Sequence, residues 1–315
     1  MNASTASVVD IETGTTRATY QTGEGPHEVA ISNDGKLAAI SVYGGRGSIG
    51  HSLIVIDLSG DAPPRTIELG DLRRPHGMRF LPGDRKLILT SEATQRVVIV
   101  DVGSGAVSDS VVLNQGATHM VVIDRDGTRA FTTNITKMTI SVIDIAQASV
   151  LRTIDAGVRI EGIAINPDAT EVWVGANDAK KVLVFNPSTG DKLAEIEGFG
   201  LPYRMSITPD GRTAVISDPG SERVVIADVK THAVRTTIDM TKAPGMPPDA
   251  GEHPSPQGVI LSRDGKTAFV TLKGLGKVAV IDIATAAITK ILTVGGGSDG
   301  VGFSPLHDVH PRGMP

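Results

Sequence analysis

Apolar and polar residues alternate in short stretches along nearly the whole chain, and the stretches recur. Val29 and Ile31, Met78 and Phe80, Val121 and Ile123, Ile163 and Ile165, Met205 and Ile207, Val259 and Leu261, and Val301 and Phe303 sit two and four residues after a polar position. A period of two with one apolar set predicts a strand that buries one face. The preceding polar positions are His27, His76, His119, Glu161, Tyr203, Gln257 and Asp299, spaced by 42 residues in three of the six intervals. Seven or eight residues after them come Asp34-Gly35, Asp126-Gly127, Asp210-Gly211 and Asp264-Gly265, with Gly83-Asp84 and Asp168-Ala169 as variants. Asp and Gly tolerate positive φ, so these are hairpin turns. A second strand follows, as in Ala130-Phe131-Thr132-Thr133. A third ends on Asp57, Asp101, Asp144, Asn186, Asp228 or Asp282, and a fourth is exemplified by Val150 to Ile154.

Four short antiparallel strands per unit of about 40 residues make a propeller blade, which buries its faces only by stacking on neighbours. The expected fold is therefore all-β, a seven-bladed β-propeller forming one domain over residues 1–315. The seventh unit starts at Asp299 and the sequence stops at Pro315, so the N-terminus is expected to complete it. Ser7 to Ile11 matches a third strand and Arg17 to Tyr20 a fourth, giving a last blade shared between residues 1–25 and 296–315. Its second strand would fall on Asp308 to Met314, where Pro311 is unfavourable.

Composition narrows the function classes. A net charge of -5 offers no basic field for nucleic acid. Without cysteine, disulfides and thiolate metal sites are excluded. Met1-Asn2-Ala3-Ser4-Thr5 shows no basic and apolar export signal, and no apolar run is long enough to span a bilayer. The chain reads as soluble, with the compartment left open. No G-x-S-x-G elbow or phosphate-binding glycine loop stands in a strand-to-helix setting, and Gly295-Gly296-Gly297 reads as a connection between blades.

The units resemble the YVTN-type β-propeller repeat family, the lactonase-like or surface-layer-type propellers. The resemblance is carried by Pro202 to Arg212 with its Asp210-Gly211, by Phe131-Thr132-Thr133-Asn134 and by Val278-Ala279-Val280-Ile281-Asp282. It implies a seven-bladed ring and covers almost the whole chain. Similar propellers include binding or scaffold proteins, lactonases and metal enzymes, so it does not choose a function.

The innermost strand of a blade lines the central channel, so the seven polar positions should ring one mouth. Across the closure they read Asp299, His27, His76, His119, Glu161. Three neighbouring histidines flanked by carboxylates suit one divalent metal ion, with His27, His76, His119, Glu161 and Asp299 as ligands and Zn, Fe, Cu, Mn or Ca all open. Any one of these histidines alone would be ordinary channel lining. Glu28 and Arg204 occupy a position that is glycine in four of the other five units, and Tyr203 precedes Arg204. Glu28 is a candidate general base, Arg204 an anion clamp and Tyr203 a third catalytic candidate; a solvated Glu28–Arg204 salt bridge is the plainer alternative.

The longer segments Tyr43 to His51, Leu72 to Pro75 and Thr241 to His253 are candidate pocket walls on the same face. His232 is expected in an exposed hairpin without a role, Trp173 in the core, and His307 and His310 in a tail of undetermined path. Two functions compete. One is a metal-dependent enzyme acting on a small polar molecule in the channel, of hydrolase, lactonase or lyase type, or a redox enzyme if the metal is Cu or Fe. The other is a non-catalytic ring that binds a ligand or a protein partner on its loop-rich face.

Overall fold

The computed structural model describes residues 4–60, 62–244 and 253–306. Its first elements are a hairpin of β1 (Thr5–Val9) and β2 (Thr16–Gln21), followed by a blade of β3 (Pro26–Ile31), β4 (Leu37–Val42), β5 (Ser52–Asp57) and β6 (Arg65–Glu68). Each successive unit repeats this meander. The described residues form six four-stranded antiparallel sheets and the separate two-stranded sheet β1–β2.

The local chemistry explains the recurrence. The acid or amide that ends each third strand turns back to accept a backbone N–H of the next turn, as Asp101 does from Ser104 and Asn186 from Ser188, both at 2.8 Å. The Asp-Gly turns hold glycine at positive φ; in the variant turns Ala169 and Asp84 adopt the same left-handed backbone, at φ 53° and 59°. The turn at Ala169 is tied down by Asn166, whose side chain accepts from the N–H groups of Thr170 and Glu171.

Apolar packing runs between blades. Each cluster draws on two neighbouring sheets: Leu53 and Val55 of the first blade meet Met78, Leu87 and Leu89 of the second, and the fully buried Trp173 packs with Met205 and Ile216 of the next blade. A blade therefore contributes one face to each neighbour, and none has a core of its own.

Hydrogen bonds add a latch between blades. A buried hydroxyl on the second strand of one blade donates to the carbonyl at the polar inner position of the next. Thr90 reaches His119 at 2.5 Å, Thr133 reaches Glu161 at 2.6 Å, Ser217 reaches Gln257 at 2.6 Å and Thr271 reaches Asp299 at 3.1 Å. Glycine after that position lets the carbonyl approach. A Cβ on Gly162 would lie 2.0 Å from the Tyr203 carbonyl oxygen, and one on Gly300 2.2 Å from that of His27. The residue 300 segment thus packs on the first blade as one blade packs on another.

The seventh blade is where the fold departs from expectation: six complete blades stand among the described residues where seven were expected. Between the sixth and first blades the described residues give the hairpin β1–β2 and the segment 298–306, which has no strand. Val8 packs toward Ile40 and Ile56 of the first blade, Ile11 and Phe303 toward the sixth, and Phe303 stacks on Phe269. A cavity of about 750 Å³ lies between the hairpin and this segment. Asp308 to Met314, assigned by pattern to the second strand, lies outside the described residues. No helix among the described residues is long and apolar enough to cross a membrane.

Candidate functional site

The polar inner positions stand where the first strand of a blade begins. In the first, second, third and sixth blades the strand bulges there, with one extra residue between Pro26 and Val29, Pro75 and Met78, Thr118 and Val121, and Pro256 and Val259. A bulge re-aims side chains at the end of a ladder. In the fourth and fifth blades the first strand starts only after Glu161 and Tyr203, at Ile163 and Met205.

The bulges bring three imidazoles together. The ring centroids of His27 and His76 are 4.3 Å apart and those of His76 and His119 3.8 Å. All three side chains are buried, His76 completely. Among the described residues neither nitrogen of His76 has a hydrogen-bond partner, and Nε2 of His119 has none either. Burial pushes the titration of His27 below the ordinary histidine value, against a partial opposing pull from Glu28 and Asp299. Burial likewise pushes His76 well below that value, helped by the neighbouring His119, His27 and Arg204. Near neutral pH His27 and His76 are therefore uncharged, and the orphaned nitrogens of His76 are a cost that buried polar groups normally avoid.

Carboxylates brace the two outer histidines. Nδ1 of His119 lies 2.9 Å from Oε2 of Glu92, whose other oxygen accepts the Tyr43 hydroxyl at 2.8 Å. Because the Glu92 carboxylate is an acceptor, the hydrogen bond places a proton on Nδ1 of His119. Burial raises Glu92, but the hydrogen bond and charge of His119, with the hydrogen bond from Tyr43, outweigh it and hold the carboxyl below its usual range. Asp299 places Oδ2 3.5 Å from Nδ1 of His27 and 3.2 Å from Nζ of Lys273. Tyr43 also meets His27 and His76 edge-on, at 5.2 and 5.4 Å between ring centroids.

Two sets of potential ligand atoms lie within 4.8 Å of one another, His27–Glu28–His76 and His76–Glu92–His119, sharing His76. The five residues read from sequence as ligands divide accordingly. The three histidine rings crowd together, but His27 and His119 fall in different sets and only His76 belongs to both; Asp299 stands behind His27; Glu161 is turned to Arg159 at 2.5 Å. Neither Asp299 nor Glu161 belongs to either set, while Glu28 and Glu92 do.

Glu28 and Arg204 meet across the channel, Nη2 to Oε1 at 3.0 Å. Arg204 is 5% exposed, so this is a buried pair and not the solvated bridge weighed above. Its guanidinium stacks over Tyr203, 4.2 Å from the ring centroid. Burial lowers the affinity of Arg204 for its proton, but Tyr203, Glu28 and Asp299 more than restore it, so its charge is permanent. Burial pushes the Tyr203 hydroxyl above its usual value. Nη1 of Arg204 is buried without a partner.

Glu92 and Lys273 were missed in the sequence, and Tyr43 was read only as the start of a pocket wall, although a signal was there. Each stands sixteen residues after an inner polar position, immediately after the second strand: 43 after 27, 92 after 76 and 273 after 257. That offset defines a second ring whose side chains lean toward the following blade, Glu92 to His119 and Lys273 to Asp299. Of the longer segments, Tyr43 reaches the histidines, while residues 245–252 lie outside the described residues, as do His307 and His310. His232 is half-buried, bonded to Glu171 at 3.1 Å and packed on Trp173 at 5.6 Å, because the third-strand turn folds it back onto the neighbouring blade.

In comparison with solved structures, the chain is similar to Kuenenia stuttgartiensis Hydrazine Synthase, with a TM-score of 0.76 and 16% identity over 89% of this chain and 90% of that one. At that identity the likeness is one of fold. No curated protein sequence matches significantly. Residues 2–171 match the YNCE-like beta-propeller family. With more than half of its length matched and six propeller blades in its fold, the chain belongs to the YNCE-like beta-propeller family.

Proposed function

We propose that the protein is a divalent-metal-dependent enzyme acting on a small polar molecule at the mouth of the central channel, its ion held by His27, His76 and His119. The observation that carries this reading is His76, fully buried between two other imidazoles with both ring nitrogens unpaired. A fully buried imidazole without partners is costly unless something ligates it.

The donor set narrows the metal. Neutral imidazole nitrogens suit Zn, Cu or Fe, whereas Ca and Mn prefer oxygen. Glu92 and Asp299 serve best as the groups that orient His119 and His27 from behind, the arrangement by which carboxylates fix the tautomer of ligating histidines. Glu161 has no part in the ligand shell. A bound ion supplies Lewis-acid activation of a substrate carbonyl or of water, which suits hydrolase, lactonase or lyase chemistry. Glu28, next to His27 and His76, is the proton acceptor on the chain. Arg204 holds that carboxylate in place and Tyr203 supports Arg204.

The competing reading is a non-catalytic ring, favoured by the complete burial of His76, which leaves little room for a substrate beside it. Assay of untagged protein against lactones and small esters, before and after chelation and after return of Zn, separates the two. Activity lost on chelation and regained with metal supports the enzyme. Full metal occupancy without turnover supports the binding ring.

A further inference from the structure

A second cavity, of about 370 Å³, opens at the far ends of the inner strands from the histidines and is lined by Ser32, Asn33, Phe80, Phe303 and two arginines, Arg79 and Arg263. Arg79 follows His76 by three residues on the same strand. Its one hydrogen bond among the described residues is from Nη1 to the Met78 carbonyl at 2.7 Å, and it makes no ion pair there. The charges that act on it are Glu28 and Arg204, and Glu28 is already bonded to Arg204. Glu28 is thus shared between two guanidinium groups, and the other carboxylate close to them, Asp299, acts on Arg204 and not on Arg79. Burial, only partly offset by Glu28, lowers the affinity of Arg79 for its proton. Arg263 contributes a second cation, with a long contact of 3.5 Å to the Ser32 carbonyl and with Asp34 in its vicinity. Arg79 is half-buried and Arg263 exposed at the rim of the cavity, so the two guanidinium groups are open to a counter-ion, and a guanidinium pairs best with the paired oxygens of an oxyanion.

We infer that this cavity is a binding site for a small oxyanion, a phosphate or carboxylate group held between Arg79 and Arg263. The site is separate from the histidine cluster and does not depend on a metal. It draws its selectivity from charge-assisted hydrogen bonds to the two guanidinium groups, with Phe80 and Phe303 supplying apolar walls.

Calorimetric titration of chelator-treated full-length protein tests it, with inorganic phosphate in one arm and malonate in the other, at ionic strength matched with NaCl. Saturable one-to-one binding of either anion is expected, weakened at least about tenfold in both Arg79→Met and Arg263→Gln. Binding should persist in His76→Ala, which sets this site apart from the metal site. Arg79→Met should melt no lower than wild type in anion-free buffer, since it removes a half-buried cation that has no ion pair among the described residues. If that variant does not fold, Arg263→Gln decides alone. Absence of saturable binding by the wild type, or undiminished binding in Arg263→Gln, or binding lost in His76→Ala but kept in Arg79→Met, would overturn the assignment.

Discussion

The two sides of the channel mouth are built from the same strand position and treated in opposite ways. On the side of the fourth to sixth blades and the residue 299 segment, the side chain at that strand position has a partner in each case, although Nη1 of the adjoining Arg204 and the Ser298 hydroxyl have none among the described residues. Glu161 has Arg159, Gln257 has Ser255 and Lys273, Asp299 has Lys273, and Tyr203 has the Arg204 guanidinium over its ring. On the side of the first three blades, His27, His76 and His119 crowd one another and leave buried nitrogens unpaired, while carboxylates approach the outer two from behind. A scaffold that satisfies its polar groups on one side can do so on the other. The side left unsatisfied is the side shaped for something absent from the chain itself.

That contrast breaks if His76 is dispensable. His76→Ala should lower affinity for Zn at least about a thousandfold, because it removes the one donor shared by both ligand sets; competition against a chromophoric chelator measures this. Glu92→Gln keeps the size of the side chain but weakens the brace on His119, and the same assay should show a loss of about 10- to 100-fold. In metal-free protein the histidines should make stability depend on pH. The folded-state values of His27 and His76 lie below the ordinary 6.5, so below that pH the unfolded chain binds more protons. Stability should therefore fall as pH drops from about 6.5, with a slope of up to about 1.4 kcal/mol per pH unit for each group, and His76→Gln should flatten it in urea titrations. Glu161→Gln, on the satisfied side, should change metal affinity less than about twofold. An effect as large as that of Glu92→Gln would erase the distinction between the sides.

The blades were legible because each of their causes is local and repeated. Alternation sets the buried faces, Asp-Gly sets the turns, and the acid or amide at the end of the third strand sets the next turn through its own backbone bonds. Closure was less legible. Residues 5–9 and 16–21 pair as a third and fourth strand should, but the strand that would join them to the segment from Asp299 is not among the described residues, and Pro311 had already argued against it there. At the site, the histidines were readable because they occupy one register position in consecutive units. Asp299 does stand beside His27, but the carboxylate partner of His119 was misassigned because counting along the inner ring puts Glu161 next to it, whereas in space Glu92 leans from the end of the second strand of the preceding blade. Side chains that cross between blades follow the stacking of the sheets, and a single register position does not reveal that. The burial of the Glu28–Arg204 pair was hidden for the same reason, since its members are 176 residues apart and meet only across the closed ring.

The account rests on the unpaired nitrogens of the three-histidine cluster, and elemental analysis of protein purified without an affinity tag or added chelator tests it most directly. It predicts close to one equivalent of Zn, Cu or Fe per chain. Protein with far less than one equivalent, and no uptake when these ions are supplied, would contradict it.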